Sequence, residues 1–203
     1  FEKGVQHLIS ALPELRYRHP GLRMVIAGDG PHRAQLQAEV RDMKLDRAVS
    51  FAGFVGPDLP PTMAATDAFV VPSIYEPFGM VALEAAAAGA PLAVSATGGL
   101  AEIVQPGVTG VTFPARDTPA LADAVSGLLA DARAARRMAA EAKQLVHERY
   151  AWPSIAASTA AAYRATIADA PPNRAEARAK LAVRRPTIVV PEGNLLSLDG
   201  VVA

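Results

Sequence analysis

The stretch Ala68-Phe69-Val70-Val71-Pro72-Ser73-Ile74-Tyr75-Glu76-Pro77-Phe78-Gly79-Met80-Val81-Ala82-Leu83-Glu84-Ala85-Ala86-Ala87-Ala88-Gly89-Ala90-Pro91-Leu92-Ala93-Val94-Ser95 holds one whole unit of the fold. Residues 68–71 form an apolar, β-branched run that reads as a strand, and residues 79–88 read as a helix. Gly89 suits the left-handed position that follows a helix end. Residues 91–95 then read as a second strand. Both strands are continuously apolar instead of alternating, the pattern of a parallel sheet covered on both faces.

The same grammar extends in both directions. Upstream, Leu8, Ile9, Leu12 and Leu15 fall at helical spacing, predicting a helix from residue 1 or 2 to about 18, ended by His19-Pro20-Gly21. A strand over residues 22–27 stops at Gly28-Asp29-Gly30-Pro31. A helix over 32–44, a strand over 49–52, a loop over 53–56 and a short helix over 60–65 follow. Downstream come a short helix around 100–104 and a strand over 110–113. After Pro114 the pattern is wholly helical, over 117–129, 131–148 and 153–167. Residues 169–203, with Pro171-Pro172-Asn173 and an apolar run at 187–190, read as a linker and a docking tail. Alternating strands and helices predict an α/β fold, a doubly wound parallel sheet of Rossmann-like type. Ligands of such sheets bind outside the carboxyl ends of the strands. That directs attention to the loops at 28–31, 53–56, 72–79 and 97–99.

Composition narrows the chemistry. The 203 residues are 51% hydrophobic and 20% charged, which excludes a disordered chain. Basic and acidic residues balance at 20 each, so no global basic field attracts nucleic acid. The absence of cysteine excludes disulfides, zinc–thiolate sites and thiol catalysis. Alanine supplies about a fifth of the chain and Arg outnumbers Lys roughly fourfold, a bias that leaves only Lys3, Lys44, Lys143 and Lys180. No apolar stretch approaches the roughly 20 residues of a membrane span. No signal peptide is visible, so a cytoplasmic location is expected. The chain opens on Phe-Glu-Lys-Gly, which reads as an internal start. His7, His19, His32 and His147 have no ligand spacing, so no metal site is expected. Gly28-Asp29-Gly30 lacks the downstream glycine of a dinucleotide fingerprint.

The loop at 72–79 carries the most information. It sets Glu76 at a strand end, Gly79 where backbone can approach a ligand closely, and a helix N-terminus that favours an anion. Glu84 falls within an Ala-rich apolar helix, where an unpaired buried charge is costly and needs a partner. The structural alternative makes Glu76 a solvated loop acid and Glu84 a helix-dipole acid.

Glu76 and Glu84, seven residues apart, resemble the E-x7-E signature of the retaining nucleotide-sugar glycosyltransferases of the GT-B fold, the group 1 or family 4 class. Lys3-Gly4-Val5, Val25 to Pro31, Phe51 to Val55, Ala68 to Ser73, Gly89 to Leu92, Gly98 to Ile103 and Gly107 to Gly110 match in the family's order, over residues 1 to about 168. Glu76-Pro77-Phe78-Gly79 followed by Val81 to Ala85 is similar to glycogen and starch synthases.

The resemblance implies the C-terminal, donor-binding half of a two-domain GT-B enzyme, with residues 1–168 as that domain and its first strand missing from this sequence. It implies a hexosyltransferase moving a hexose, glucose first among the choices, from a UDP-, ADP- or GDP-sugar to a sugar or lipid acceptor. No cofactor or metal is implied, and the domain alone is expected to be inactive without its N-terminal acceptor-binding partner. Lys3 and Glu76 take the catalytic roles, Lys3 against the diphosphate and Glu76 against sugar hydroxyls. Gly28, Phe78, Gly79, Met80 and Val81 join them around donor sugar and phosphate. Glu84 holds the ribose, and Phe54 and Val55 line the base site. Each has a plainer alternative: Lys3 as a surface lysine, Phe54 as a core aromatic, Gly28 and Gly30 as turn residues. A nucleotide-sugar 2-epimerase on the same fold and a non-catalytic nucleotide-binding module are the competing functions.

Overall fold

Gly4 decides where the first helix begins. Its φ of 68° is left-handed, so the helix expected from residue 1 or 2 starts later, and α1 spans Val5–Arg18. A side chain at position 4 would also run into the carbonyl of Pro72. The structure, a computed structural model, describes residues 2–169. After α1 come β1 (Met24–Ala27), α2 (Arg33–Asp42), β2 (Val49–Gly53) and a 3-10 turn (Gly56–Asp58) leading into α3 (Leu59–Ala64). Then follow β3 (Phe69–Val71), α4 (Met80–Ala88), β4 (Leu92–Ser95), α5 (Gly98–Ile103) and β5 (Val111–Phe113). Three helices end the described region, α6 (Thr118–Ala130), α7 (Ala132–Arg149) and α8 (Trp152–Ala168).

Every strand pair is parallel, as the apolar runs predicted. The expected sheet is nevertheless divided. Among the described residues β1 pairs with β2, and β3, β4 and β5 form a second sheet in that order. Between the edges of β1 and β3 runs a cleft lined by Val25 and Ile26 on one side and Phe69 and Val70 on the other. Leu8, Leu12 and Leu15 of α1 also line it.

Burial on both faces centres on β4, all four of whose residues are buried. Alternation sends Leu92 and Val94 into a cluster with Met63, Leu83 and Leu100 beside α4 and α5. Ala93 faces the opposite cluster, with Leu15, Phe113, Leu121 and Leu128 beneath α1 and α6. A third cluster, Ile9, Leu12, Val40, Leu45 and Val49, seats β1 and β2 against α1 and α2. Two helix starts shift by one residue because Asp117 and Asp131 are caps. Asp117 accepts from the Ala120 N–H at 2.9 Å, and Asp131 from those of Arg133 and Ala134 at 3.1 and 2.9 Å.

The described residues up to Ile155 form one compact unit, and the chain divides after it. Helix α8 buries none of its residues, and Trp152, Tyr163 and Ile167 on it are largely exposed. The tail read at 169–203 lies outside the described residues from position 170 onward. No helix among the described residues is long and apolar enough to cross a membrane.

Leu121 is 1% exposed and joins α6 to the β4–β5 face. Leu121→Ala should lower the unfolding free energy by about 2–5 kcal/mol in urea denaturation. A loss under about 0.5 kcal/mol, typical of a surface site, would place α6 outside the cooperative core.

Candidate functional site

The loop between β3 and α4 is held by backbone contacts from three directions. At its start the Ile74 N–H donates to the Glu2 carbonyl at 2.7 Å, tying the loop to the chain entering α1. From β4, the Ser95 hydroxyl donates to the Ser73 carbonyl, and the Thr97 hydroxyl to the Ile74 carbonyl at 3.3 Å. At its end the Gly99 N–H donates to the Glu76 carbonyl at 3.0 Å. A Cβ on Gly98 or Gly99 would overlap the carbonyls of Glu76 and Phe78 respectively. Two glycines therefore let the N-terminal turn of α5 lie directly on the loop.

This anchoring holds Glu76 in place. Its residue is 7% exposed, so the solvated-acid reading is removed. Lys3 Nζ donates to Glu76 Oε2 at 2.7 Å, and the Ser73 hydroxyl to the same oxygen at 3.2 Å. The lysine side chain remains 69% exposed while that of Glu76 is 9% exposed. A buried acid is thus paired with an ammonium open to solvent. The two groups assigned separate partners by the resemblance are in direct contact with each other.

Gly79 takes a left-handed φ of 95° and caps α4. Its open side faces protein: a Cβ there would come within 3.0 Å of Leu100 and 3.1 Å of Ile103. Conformation and packing both require glycine here. Gly28 differs, because a Cβ on it would meet nothing within 4 Å at a φ of 116°. Its N–H donates to the Gly53 carbonyl at 2.7 Å, joining the residue after β1 to the end of β2.

Glu84 needs correction as well. It was expected to be buried and in need of a partner, but it is exposed, and its side chain makes no hydrogen bond or ion pair among the described residues. Ala82, Leu83, Ala85 and Ala86 take the buried side of α4, leaving Met80, Glu84 and Ala87 along the open one. Met80 and Glu84 are one turn apart and so share a face of α4, and Tyr75 and Phe78 in the preceding loop are also exposed. Phe54 is 88% exposed, which removes the core reading of that aromatic; Val55 is half-buried.

Sequence reasoning missed the supports: Gly4, Ser73, Ser95 and Thr97. Ser95 ends an otherwise apolar, fully buried strand, and a lone hydroxyl there was the available signal. Arg33 was also overlooked. Its guanidinium donates to the Phe51 carbonyl at 3.2 Å and lies 3.7 Å from Asp29, bracing the two strand-end loops.

Residues 1–145 match the profile of the family described as Glycosyl transferases group 1. The chain belongs to this glycosyltransferase family. Among its relatives is a glycogen synthase of Mycobacterium tuberculosis, 45% identical over 166 residues, covering 81% of this chain and 40% of the relative. A GDP-mannose-dependent phosphatidylinositol monomannoside mannosyltransferase of the same organism is 36% identical over 166 residues, covering 78% and 43%. Among solved structures, sucrose-phosphate synthase of Thermosynechococcus elongatus is similar at a TM-score of 0.74 and 32% identity, covering 83% of this chain and 43% of that one. Anabaena HepE in complex with UDP-glucose is similar at 0.74 and 28%, covering 81% and 46%. The α/β architecture is that of the Rossmann-like C-terminal half of GT-B glycosyltransferases. The chain spans less than half the length of these relatives.

Gly99→Ala should cost about 1–3 kcal/mol, because the added methyl has the Phe78 carbonyl in its way. Thermal melting checks this; an unchanged transition would mean that α5 does not pin the loop.

Proposed function

We propose that this glycosyltransferase domain binds a nucleotide-diphosphate hexose, with glucose as the sugar, and serves a retaining transfer to an acceptor hydroxyl. The observation that carries the reading is the arrangement of Lys3, Glu76 and Glu84. A fixed, buried carboxylate in the loop leading into α4 holds an exposed ammonium, and a second carboxylate stands on the open face of that helix. The glycogen synthase at 45% identity and the HepE complex with UDP-glucose support glucose over mannose.

In the reaction the bond from the anomeric carbon to the diphosphate breaks, and one to the acceptor oxygen forms on the same face of the sugar. The acceptor proton passes to the departing diphosphate oxygen. Negative charge grows on the departing diphosphate. Lys3 and the N–H groups of Gly79, Met80 and Val81 supply positive potential there, fixed before the substrate arrives. Glu76 keeps Lys3 oriented and accepts hydrogen bonds from sugar hydroxyls through its remaining lone pairs. Glu84 accepts from the two ribose hydroxyls, which explains an unpaired acid on this face. Phe54 and Val55 offer an apolar wall to the base, and Gly28 leaves space for the donor. No metal takes part, since Lys3 and the helix end provide the charge that a cation would otherwise bring.

Calorimetric titration of the 203-residue chain with UDP-, ADP- and GDP-hexoses tests this. One donor should bind, and Glu84→Ala and Lys3→Ala should each weaken it by about 1–3 kcal/mol, as for a lost hydrogen bond to a charged group. EDTA should change nothing. Binding without any response from either variant would discard these roles, and binding followed by release of a 2-epimerised sugar nucleotide would favour the isomerase.

A further inference from the structure

Strand β2 loses its regular register just before Phe54. Ile26 of β1 stands opposite Phe51, but Ala27 stands opposite Gly53, so Ala52 is an extra residue in β2. Such a bulge bends its strand and re-aims the chain that follows. Here that chain is Gly53, at a φ of 71°, then Phe54, which is 88% exposed, and Val55. With the ladder interrupted, other contacts must fix the direction in which the chain leaves.

Two contacts do so, from opposite edges of β2. On the β1 side the Gly28 N–H donates to the Gly53 carbonyl. On the other edge no strand pairs with β2 among the described residues. The Met24 N–H donates to the Ala48 carbonyl, so alternation turns the Phe51 carbonyl towards that open edge. Arg33, the first residue of α2, donates to it from Nη2 at 3.2 Å. A Cβ on Gly53 would lie 3.2 Å from Arg33 Nη1, so the guanidinium also lies along the Gly53 backbone. The same nitrogen is 3.7 Å from Asp29, whose carboxylate accepts the Gly30 N–H at 2.8 Å. One planar group thus spans the residues after β1 and the end of β2, which the single donor centre of a lysine does not match. Among the described residues, no hydrogen bond or ion pair of Arg33 reaches the loop of Glu76.

We propose that Arg33 is a positioning residue for nucleobase selection. By clamping the bulge it sets the Gly53–Val55 turn against which the base of the donor lies, and so enforces a preference for one nucleotide over others. This rests on the placement of the base at Phe54 and Val55 put forward above.

Two measurements on the 203-residue chain test it, with Arg33→Met to remove the donors and keep an apolar stem. Calorimetric titration with UDP, ADP, GDP and inorganic pyrophosphate should show one nucleotide preferred by the natural chain. Arg33→Met should reduce that preference by about tenfold and leave pyrophosphate, which engages only the Lys3 end, unchanged. Hydrogen exchange at the Gly28 amide should speed up by about tenfold in the variant, while the Ala96 amide, bonded to Phe113 across β4 and β5, should not respond. Arg33→Lys should fall between the two chains in both readouts and guards against an Arg33→Met chain that fails to fold. Preference retained in Arg33→Met would overturn the role of Arg33, as would equal weakening of nucleotides and pyrophosphate, or exchange at Gly28 that does not change. A natural chain that binds pyrophosphate but none of the nucleotides would overturn the placement of the base itself, and this inference with it.

Discussion

Burial of the Glu76 carboxylate is the constraint around which the site is organised. Removing an ionised acid from water costs several kcal/mol unless charge and hydrogen bonds replace the solvent. Lys3 and Ser73 supply both, at 2.7 and 3.2 Å from one oxygen. That geometry requires the start of the chain to lie against the end of β3, which Gly4 permits by fitting under the Pro72 carbonyl. It also requires α5 to sit directly on the loop, which Gly98 and Gly99 permit. The ends of three separate elements thus converge on one carboxylate.

Electrostatically, the result is an exposed ammonium fixed from below. Lys3 is far from deep burial, so its attraction to Glu76 is screened and contributes modestly to folding. Its value is in orientation: a flexible four-carbon stem is held to one position before any anion arrives, which lowers the ordering cost of binding. The N-terminal turn of α4 adds potential of the same sign, and Gly79 sets that turn's direction through its left-handed backbone.

Much of this was legible in the sequence, with identifiable gaps. The βαβ grammar located each strand within one or two residues, since apolar runs bounded by Gly and Pro leave little freedom. Glu84 was misplaced because five of the nine residues of α4 are alanine, and alanine marks neither face of a helix; burial of Leu83 settles the phase, and only packing reveals it. The Lys3–Glu76 contact joins residues 73 apart and has no local signature. The division of the sheet was likewise invisible, because no single strand records which neighbour its second edge has. Glycines gave a mixed return. Gly89 adopts the left-handed conformation that its position after α4 predicted, at a φ of 83°. Gly79 is left-handed too, but for packing against Leu100 and Ile103.

The most direct measurement is a crystal structure of the chain with UDP-glucose. The expected density has the diphosphate between Lys3 Nζ and the N–H groups of Gly79, Met80 and Val81, and the ribose hydroxyls on Glu84. The Lys3–Glu76 pair should remain in place beneath them. A nucleotide bound elsewhere, or one that leaves Glu84 and Lys3 without contact, would contradict the assignment of this loop as the donor site.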